Sequence, residues 1–192
     1  MFIVLTKKGV TSMIKIGLHA GHTLSGAGTG ACGYVTEHTE NRVILEYLKN
    51  ELNQYKNVGW FDNTNDHAKS VVSNLKQICS NSNANHVDLE ISLHLNASAN
   101  PKARGVECWI YPGSSSKKIA SRICSKVSKS LKTRNRGVKT SDGLYVLKHT
   151  NAPCVLVECY FCTNKDDCRN IERNVKVAKA IAQAIKEVYK LV

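Results

Sequence analysis

The chain has 192 residues, which fits one domain of ordinary size. Hydrophobic residues make up 42% and charged residues 22%, a balance normal for a soluble globule with a core of its own. No apolar run is long enough to span a membrane. The 27 Lys/Arg and 15 Asp/Glu leave a net charge of +12.

At the N-terminus the short apolar stretch Phe2–Leu5 precedes Lys7 and Lys8, the reverse of a secretory signal, which places the chain in the cytoplasm until release. Met13 offers a second start, so residues 1–12 read as a leader or alternative start and residues 13–192 as the domain. Ile14–Leu18 is a short β-branched run ending at His19. The loop Gly26–Gly33 lacks the Gly-Lys-Ser/Thr ending of a phosphate-binding loop and reads as a flexible segment placing Glu37 near His22. Residues 39–55 carry Ile44, Leu48, Leu52 and Tyr55 on one helical stripe. Val58–Phe61 is a strand, and residues 66–79, with Val71, Leu75 and Ile78 on one face, are a second helix. Val87–Leu95 and Val106–Tyr111 are strands.

Ser115–Leu131 repeats Ile119, Ile123, Val127 and Leu131 at every fourth position, an amphipathic helix with a basic outer face. Leu144–Leu147 and Val155–Val157 read as strands, and Arg169–Tyr189 as a C-terminal helix. Strands separated by helices of this size give an α/β fold: a single domain with a mostly parallel twisted sheet of about six strands and helices on both faces.

The charge is uneven. Residues 1–100 hold 8 Lys/Arg and 8 Asp/Glu, whereas residues 101–192 hold 19 and 7. From Lys117 to Lys139 there are nine basic residues and no acid, a footprint for a polyanion or a solvated helix face. That stretch has no aromatic residue for base stacking, which argues against nucleic acid and leaves an anionic polymer read by charge. Of the eight cysteines, Cys159 and Cys162 form a lone Cys-x-x-Cys knuckle where a zinc ribbon needs two. The thiols are read as small buried hydrophobes.

Four residues stand out for chemistry. His22, His94 and Glu158 sit at or just after the ends of apolar strand-like runs, where open α/β sheets bind ligands, and the glycine-rich loop leads to Glu37. Two imidazoles and one carboxylate make a catalytic zinc site with a position left open, and a second carboxylate can serve as its base. Taken singly, His94 among leucines is a core histidine and Glu37 an acid favoured at a helix N-terminus. Glu158, following Val-Leu-Val, is costly to bury unless paired or near a metal. Glu90 and Glu107 read as structural acids at strand edges, and His38, His67 and His86 as surface residues.

The segments Lys-Ile-Gly-Leu-His-Ala-Gly-His (15–22), Gly-Tyr-Val-Thr-Glu-His-Thr-Glu-Asn (33–41), Ile-Ser-Leu-His-Leu-Asn-Ala (91–97) and Ala-Pro-Cys-Val-Leu-Val-Glu-Cys-Tyr-Phe-Cys-Thr-Asn (152–164) together resemble the type-3 family of zinc-dependent N-acetylmuramoyl-L-alanine amidases, many of them phage endolysin domains. The resemblance runs from about Ile14 to the C-terminal helix. It implies His22, Glu37 and His94 as zinc ligands, Glu158 as the catalytic carboxylate, and bacterial peptidoglycan as substrate, cut between N-acetylmuramic acid and L-alanine. The first motif departs from the family's Asp-Pro-Gly-His by opening on His19, which makes His19 a rival ligand or a supporting partner. His149 stands where no fixed histidine is expected. Wall targeting falls either to a module outside this sequence or to the basic second half acting on anionic wall polymers. The competing expectations are a zinc peptidase acting on stem peptides and a basic polyanion-binding module with incidental histidines.

Overall fold

A computed structural model describes residues 3–6, 9–26 and 28–192. Strands β1 (Ile3–Thr6) and β2 (Gly9–Ser12) pair antiparallel as a two-stranded sheet of their own. The proposed leader at residues 1–12 therefore lies partly outside the described residues and partly in this ribbon. The body alternates as β3 (Ile14–Ala20), α1 (Glu37–Leu52), β4 (Val58–Asp62), α2 (Val71–Asn85), β5 (Leu89–Asn96), β6 (Val106–Ile110), α3 (Lys117–Leu131), β7 (Asn135–Thr140), α4 (Tyr145–His149), β8 (Cys154–Phe161), α5 (Lys165–Cys168) and α6 (Arg173–Tyr189).

The six-stranded sheet has the order β4-β3-β5-β8-β6-β7. Every pair is parallel except β6 with β8. Because side chains alternate along a strand, the register separates two faces. On one lie Ile16, Leu18, Leu89, Ile91, Leu93, Val155, Val157 and Cys108, all completely buried and packed with α1, α3 and α6. On the other lie His19, Glu90, Ser92, His94, Leu156, Glu158, Glu107 and Trp109. Its apolar part packs against Ile78 of α2 and Val146 and Leu147 of α4. Polar residues concentrate towards the carboxyl end of β5 on this second face.

Three departures from the expected elements have physical causes. Leu144–Leu147 is not a strand: Leu144 caps the short helix α4, whose Val146 and Leu147 cover the sheet beside Leu156. A run of four apolar residues has no period that separates the two states. The strand β7 was not expected, because Asn-Arg-Gly-Val-Lys-Thr is polar; it survives at the sheet edge, where only one side needs a partner. The second helix starts later than expected, at Val71, where Ser70 and Ser73 form a reciprocal capping box. The eight cysteines are all free, seven of them buried, and among the described residues no cysteine cluster could hold a metal. No described helix is long and apolar enough to cross a membrane.

Candidate active site

Glu37 is the first residue of α1, two residues earlier than the apolar stripe suggests. Its side chain turns to the end of β5, where Oε1 accepts from the Leu95 backbone N–H at 3.0 Å. The same oxygen lies 3.1 Å from His94 Nδ1 and 3.1 Å from His22 Nε2. Oε2 accepts from the Ala31 N–H at 2.9 Å, and Ala31 O receives the Glu37 N–H. The glycine-rich loop is thus tied to the helix start rather than left free.

His22, Glu37 and His94 can each offer one ligand atom with all three atoms within 4.8 Å of one another. The two rings meet edge to face, 4.8 Å apart at 77°. His22 Nδ1 donates to Gly28 O at 2.9 Å, which fixes the tautomer and leaves Nε2 facing the cluster. This donor set fits a divalent metal with an open position.

The backbone beneath His22 is held from α1. His22 has a left-handed φ of 68°, an uncommon angle for a residue with a side chain. Arg42 donates to His22 O at 2.8 Å and to His38 O at 2.7 Å, and is paired with Asp66. Asn41 donates to Gly21 O at 3.3 Å. At Gly21 a β-carbon would overlap the His94 ring, so glycine is required for that imidazole to lie where it does.

Charge follows the contacts. Burial alone would raise the Glu37 pKa, but the hydrogen bonds and charges of His22 and His94 outweigh it and hold the carboxyl well below its usual range. Burial pulls the His94 pKa down more than Glu37 pushes it up. For His22 burial also acts downward, yet Glu37 and the Gly28 carbonyl win and the value rises.

Glu158 stands opposite His94 in the β5–β8 register and opposite Glu107 in the β6–β8 register. Its Oε2 is buried with no hydrogen-bond partner. Burial, reinforced by the charges of Glu37 and Glu107, pushes its pKa up to about 8, against a smaller opposing effect of Lys139. A carboxyl poised near neutrality beside a possible metal position is suited to accepting and returning a proton.

His19 is not in this cluster. It is buried, with Nδ1 donating to Glu90 Oε1 at 2.7 Å, while Asn63 donates to Glu90 Oε2 at 3.0 Å. Glu90 is therefore structural, but it lies fully buried in the central strand β5 rather than at a strand edge. Glu107 is not a simple edge acid: it is 3% exposed and gathers Asn96, Trp109, Arg136 and Lys139 around its two oxygens. His149 is exposed and stacks on Tyr145. His38 donates from Nδ1 to Thr29 O at 2.8 Å, so it pins the loop to α1. Asn41, Arg42 and Asp66 had no signal in the sequence, since their partners are backbone atoms and each other. The flank of the site towards α2 and α4 is a cavity of about 260 Å³, lined in part by His22, His94, Val71, Leu75, Tyr145 and Leu156.

A family model described as N-acetylmuramoyl-L-alanine amidase matches residues 16–187. The N-acetylmuramoyl-L-alanine amidase LytC of Bacillus subtilis (strain 168) is 40% identical over 103 residues, covering 52% of this chain and 20% of its own. The chain thus spans about a fifth of that relative's length. The crystal structure of the N-acetylmuramoyl-L-alanine amidase from Clostridium difficile 630 superposes with a TM-score of 0.82 at 26% identity, covering 94% of this chain and 98% of the other. The catalytic domain of the CD27L endolysin targeting Clostridia difficile gives a TM-score of 0.80 at 30% identity, covering 91% and 97%.

Two outcomes follow from the geometry. Gly21→Ala should destabilise the protein by about 1–3 kcal/mol in urea unfolding, because the His94 ring must shift to admit the methyl group. Glu158 binds its proton more tightly folded than unfolded, so chelator-treated protein should lose stability as pH rises from 4.5 towards 8. Glu158→Gln removes that dependence, and its stability relative to wild type should improve by about 1 kcal/mol or more between pH 5 and pH 8. Parallel stability curves for the two proteins would refute the assignment.

Proposed function

The chain belongs to the N-acetylmuramoyl-L-alanine amidase family, and on that premise we propose that it cleaves the amide between N-acetylmuramic acid and L-alanine in peptidoglycan with a zinc ion held by His22, Glu37 and His94. The observation that carries this reading is the convergence of two imidazoles on one carboxylate oxygen, with the unpartnered Oε2 of Glu158 close by. Zinc at such a site supplies an acidified water and a Lewis-acid contact for the scissile carbonyl.

The chain's own residues do the rest. Gly28 O holds His22 by its Nδ1 so that Nε2 stays directed inward. The Leu95 N–H and the Ala31 N–H hold Glu37 by one oxygen each. Glu158 takes the proton of the attacking water on its free Oε2 and returns it to the nitrogen of L-alanine as that amine leaves. Burial of the carboxyl on β8 keeps its affinity for the proton high. Lys126, Lys129, Lys176 and Lys179 border one groove on the α3–α6 surface, which supports a wall-polymer contact there.

Digestion of purified peptidoglycan should release peptides with free N-terminal L-alanine and leave intact glycan strands, as read by mass spectrometry. Cuts within the stem peptide would instead identify a peptidase. Zinc-loaded Glu158→Ala should lose at least about a hundredfold in turnover, the range of a positioned acid–base group. Metal analysis should find about one zinc in wild type and little in His22→Ala. His19→Ala should keep its zinc yet unfold more readily, by about 3–5 kcal/mol, because Glu90 loses its buried partner.

A further inference from the structure

On the opposite flank of Glu158 from the apolar cavity, Arg136 and Lys139 lie on the edge strand β7. Arg136 Nε donates to Glu107 Oε2 at 2.6 Å, and Lys139 Nζ donates to the same oxygen at 2.7 Å. One carboxylate thus faces two cations, and the cluster keeps a surplus positive charge. Its other oxygen is already occupied by Asn96 at 3.0 Å and Trp109 at 3.2 Å. The side chains are also fixed from below: the Arg136 guanidinium lies 5.0 Å from the Phe161 ring centre and Lys139 Nζ lies 5.0 Å from that of Trp109.

These contacts leave donors over. Both terminal nitrogens of Arg136 and two of the three N–H bonds of Lys139 have no assigned partner among the described residues. The side chains are 26% and 35% exposed, enough to reach a ligand. Glu107, which anchors them, is directly across from Glu158 in the strand register. A pre-oriented guanidinium beside an ammonium is the arrangement that recognises a carboxylate, and the Arg fork makes it directional.

We propose that Arg136 and Lys139 form a subsite for a free carboxylate on the stem peptide of the substrate, so that the enzyme selects peptides carrying that charge over their amidated forms. The inference rests on the amidase reading above. The peptide leaves the scissile amide through L-alanine, and the carboxylate of the next residue, a glutamate, is the first anionic group along it. With the peptide limb over β6 and β7, the muramic acid limb faces the apolar cavity. Glu107 acts as a positioning residue, holding both cations with their spare donors turned outward. The nearby charge of Lys139 also acts on Glu158, but an effect through Glu158 changes the cleavage of every substrate alike.

The test uses two synthetic muramoyl peptides that differ only in a free carboxylate or a carboxamide on the second residue. Wild type should cleave the carboxylate form with a kcat/KM about tenfold or more higher, mainly through KM, the discrimination expected for a charge-assisted hydrogen bond. The preference should weaken as salt rises. In Arg136→Gln and in Lys139→Met the ratio between the two substrates should fall to within about twofold. Cleavage of both substrates at equal efficiency by wild type overturns the subsite, whether or not either variant folds. A wild-type preference that persists unchanged in both folded variants places recognition elsewhere and also overturns it. Cleavage of neither substrate between muramic acid and L-alanine by zinc-loaded wild type would instead bring down the amidase reading on which the subsite rests.

Discussion

One carboxylate oxygen organises this molecule's chemistry. Oε1 of Glu37 is shared by the Leu95 N–H and by ring nitrogens of His22 and His94. Those groups come from a helix start, a loop after β3 and the end of β5, three parts of the chain far apart in sequence. A carboxylate buried to 3% exposure is costly unless its lone pairs are used, and here both oxygens are engaged. The negative charge also sits at the positive end of α1. Removing this one carboxylate would take from His94 its Glu37 partner, leave His22 held through Gly28 O alone, and deprive the Ala31 N–H of its acceptor.

The sheet makes that convergence affordable by keeping apolar and polar demands on separate faces. In β5 the residues Leu89, Ile91, Leu93 and Leu95 fill the core below, while Glu90, Ser92, His94 and Asn96 line the face above. Glu90, at 0% exposure, is satisfied by His19 and Asn63 deep under the site. Towards the carboxyl ends of the strands the same face opens to His94 and Glu158. The progression along one strand runs from a closed hydrogen-bonded pair to groups with unused hydrogen-bonding capacity. That gradient leaves the unpaired groups at this end of the sheet, where the loop after β3 adds His22.

Much of this was legible in the sequence because it depends on period. The alternation in residues 87–95 and the fourfold spacing in 115–131 announce their elements, and an acid after Val-Leu-Val at 155–157 demands an explanation wherever the fold puts it. What escaped the sequence depends on contacts between distant residues. Nothing in Asn-Arg-Gly-Val-Lys-Thr marks an edge strand, since its stability comes from β6 alongside it. Arg42 could not be recognised as the clamp on His22 because its acceptors there are backbone carbonyls. The rivalry between His19 and His22 needed geometry: His19 points from a strand interior to Glu90, while His22 follows Gly21 into the left-handed turn that directs its ring to Glu37. The basic block from Lys117 to Lys139 likewise divides in the fold. Lys126 pairs with Glu187 on the helical surface, but Arg136 and Lys139 turn to Glu107 beside the site.

Glu158 is flanked by two acids whose charges are handled differently, and this shapes its proton affinity. Glu107 carries two cations, and Lys139 offsets part of its repulsion of Glu158. Glu37 is compensated only by imidazoles, one of which is held towards its neutral form by burial. Desolvation comes first among the causes that raise the Glu158 carboxyl, and Glu37 second. A dication bound at Glu37 would reverse the sign of that second contribution while leaving the first intact. The carboxyl would then be ionised when a water proton is to be taken, yet still poorly solvated, so that returning the proton to a departing amine is not opposed by strong hydration of the anion. In the proposed mechanism a metal held at Glu37 would tune the basicity of Glu158 through that shared neighbour, and the unpartnered Oε2 is the atom on which it would act.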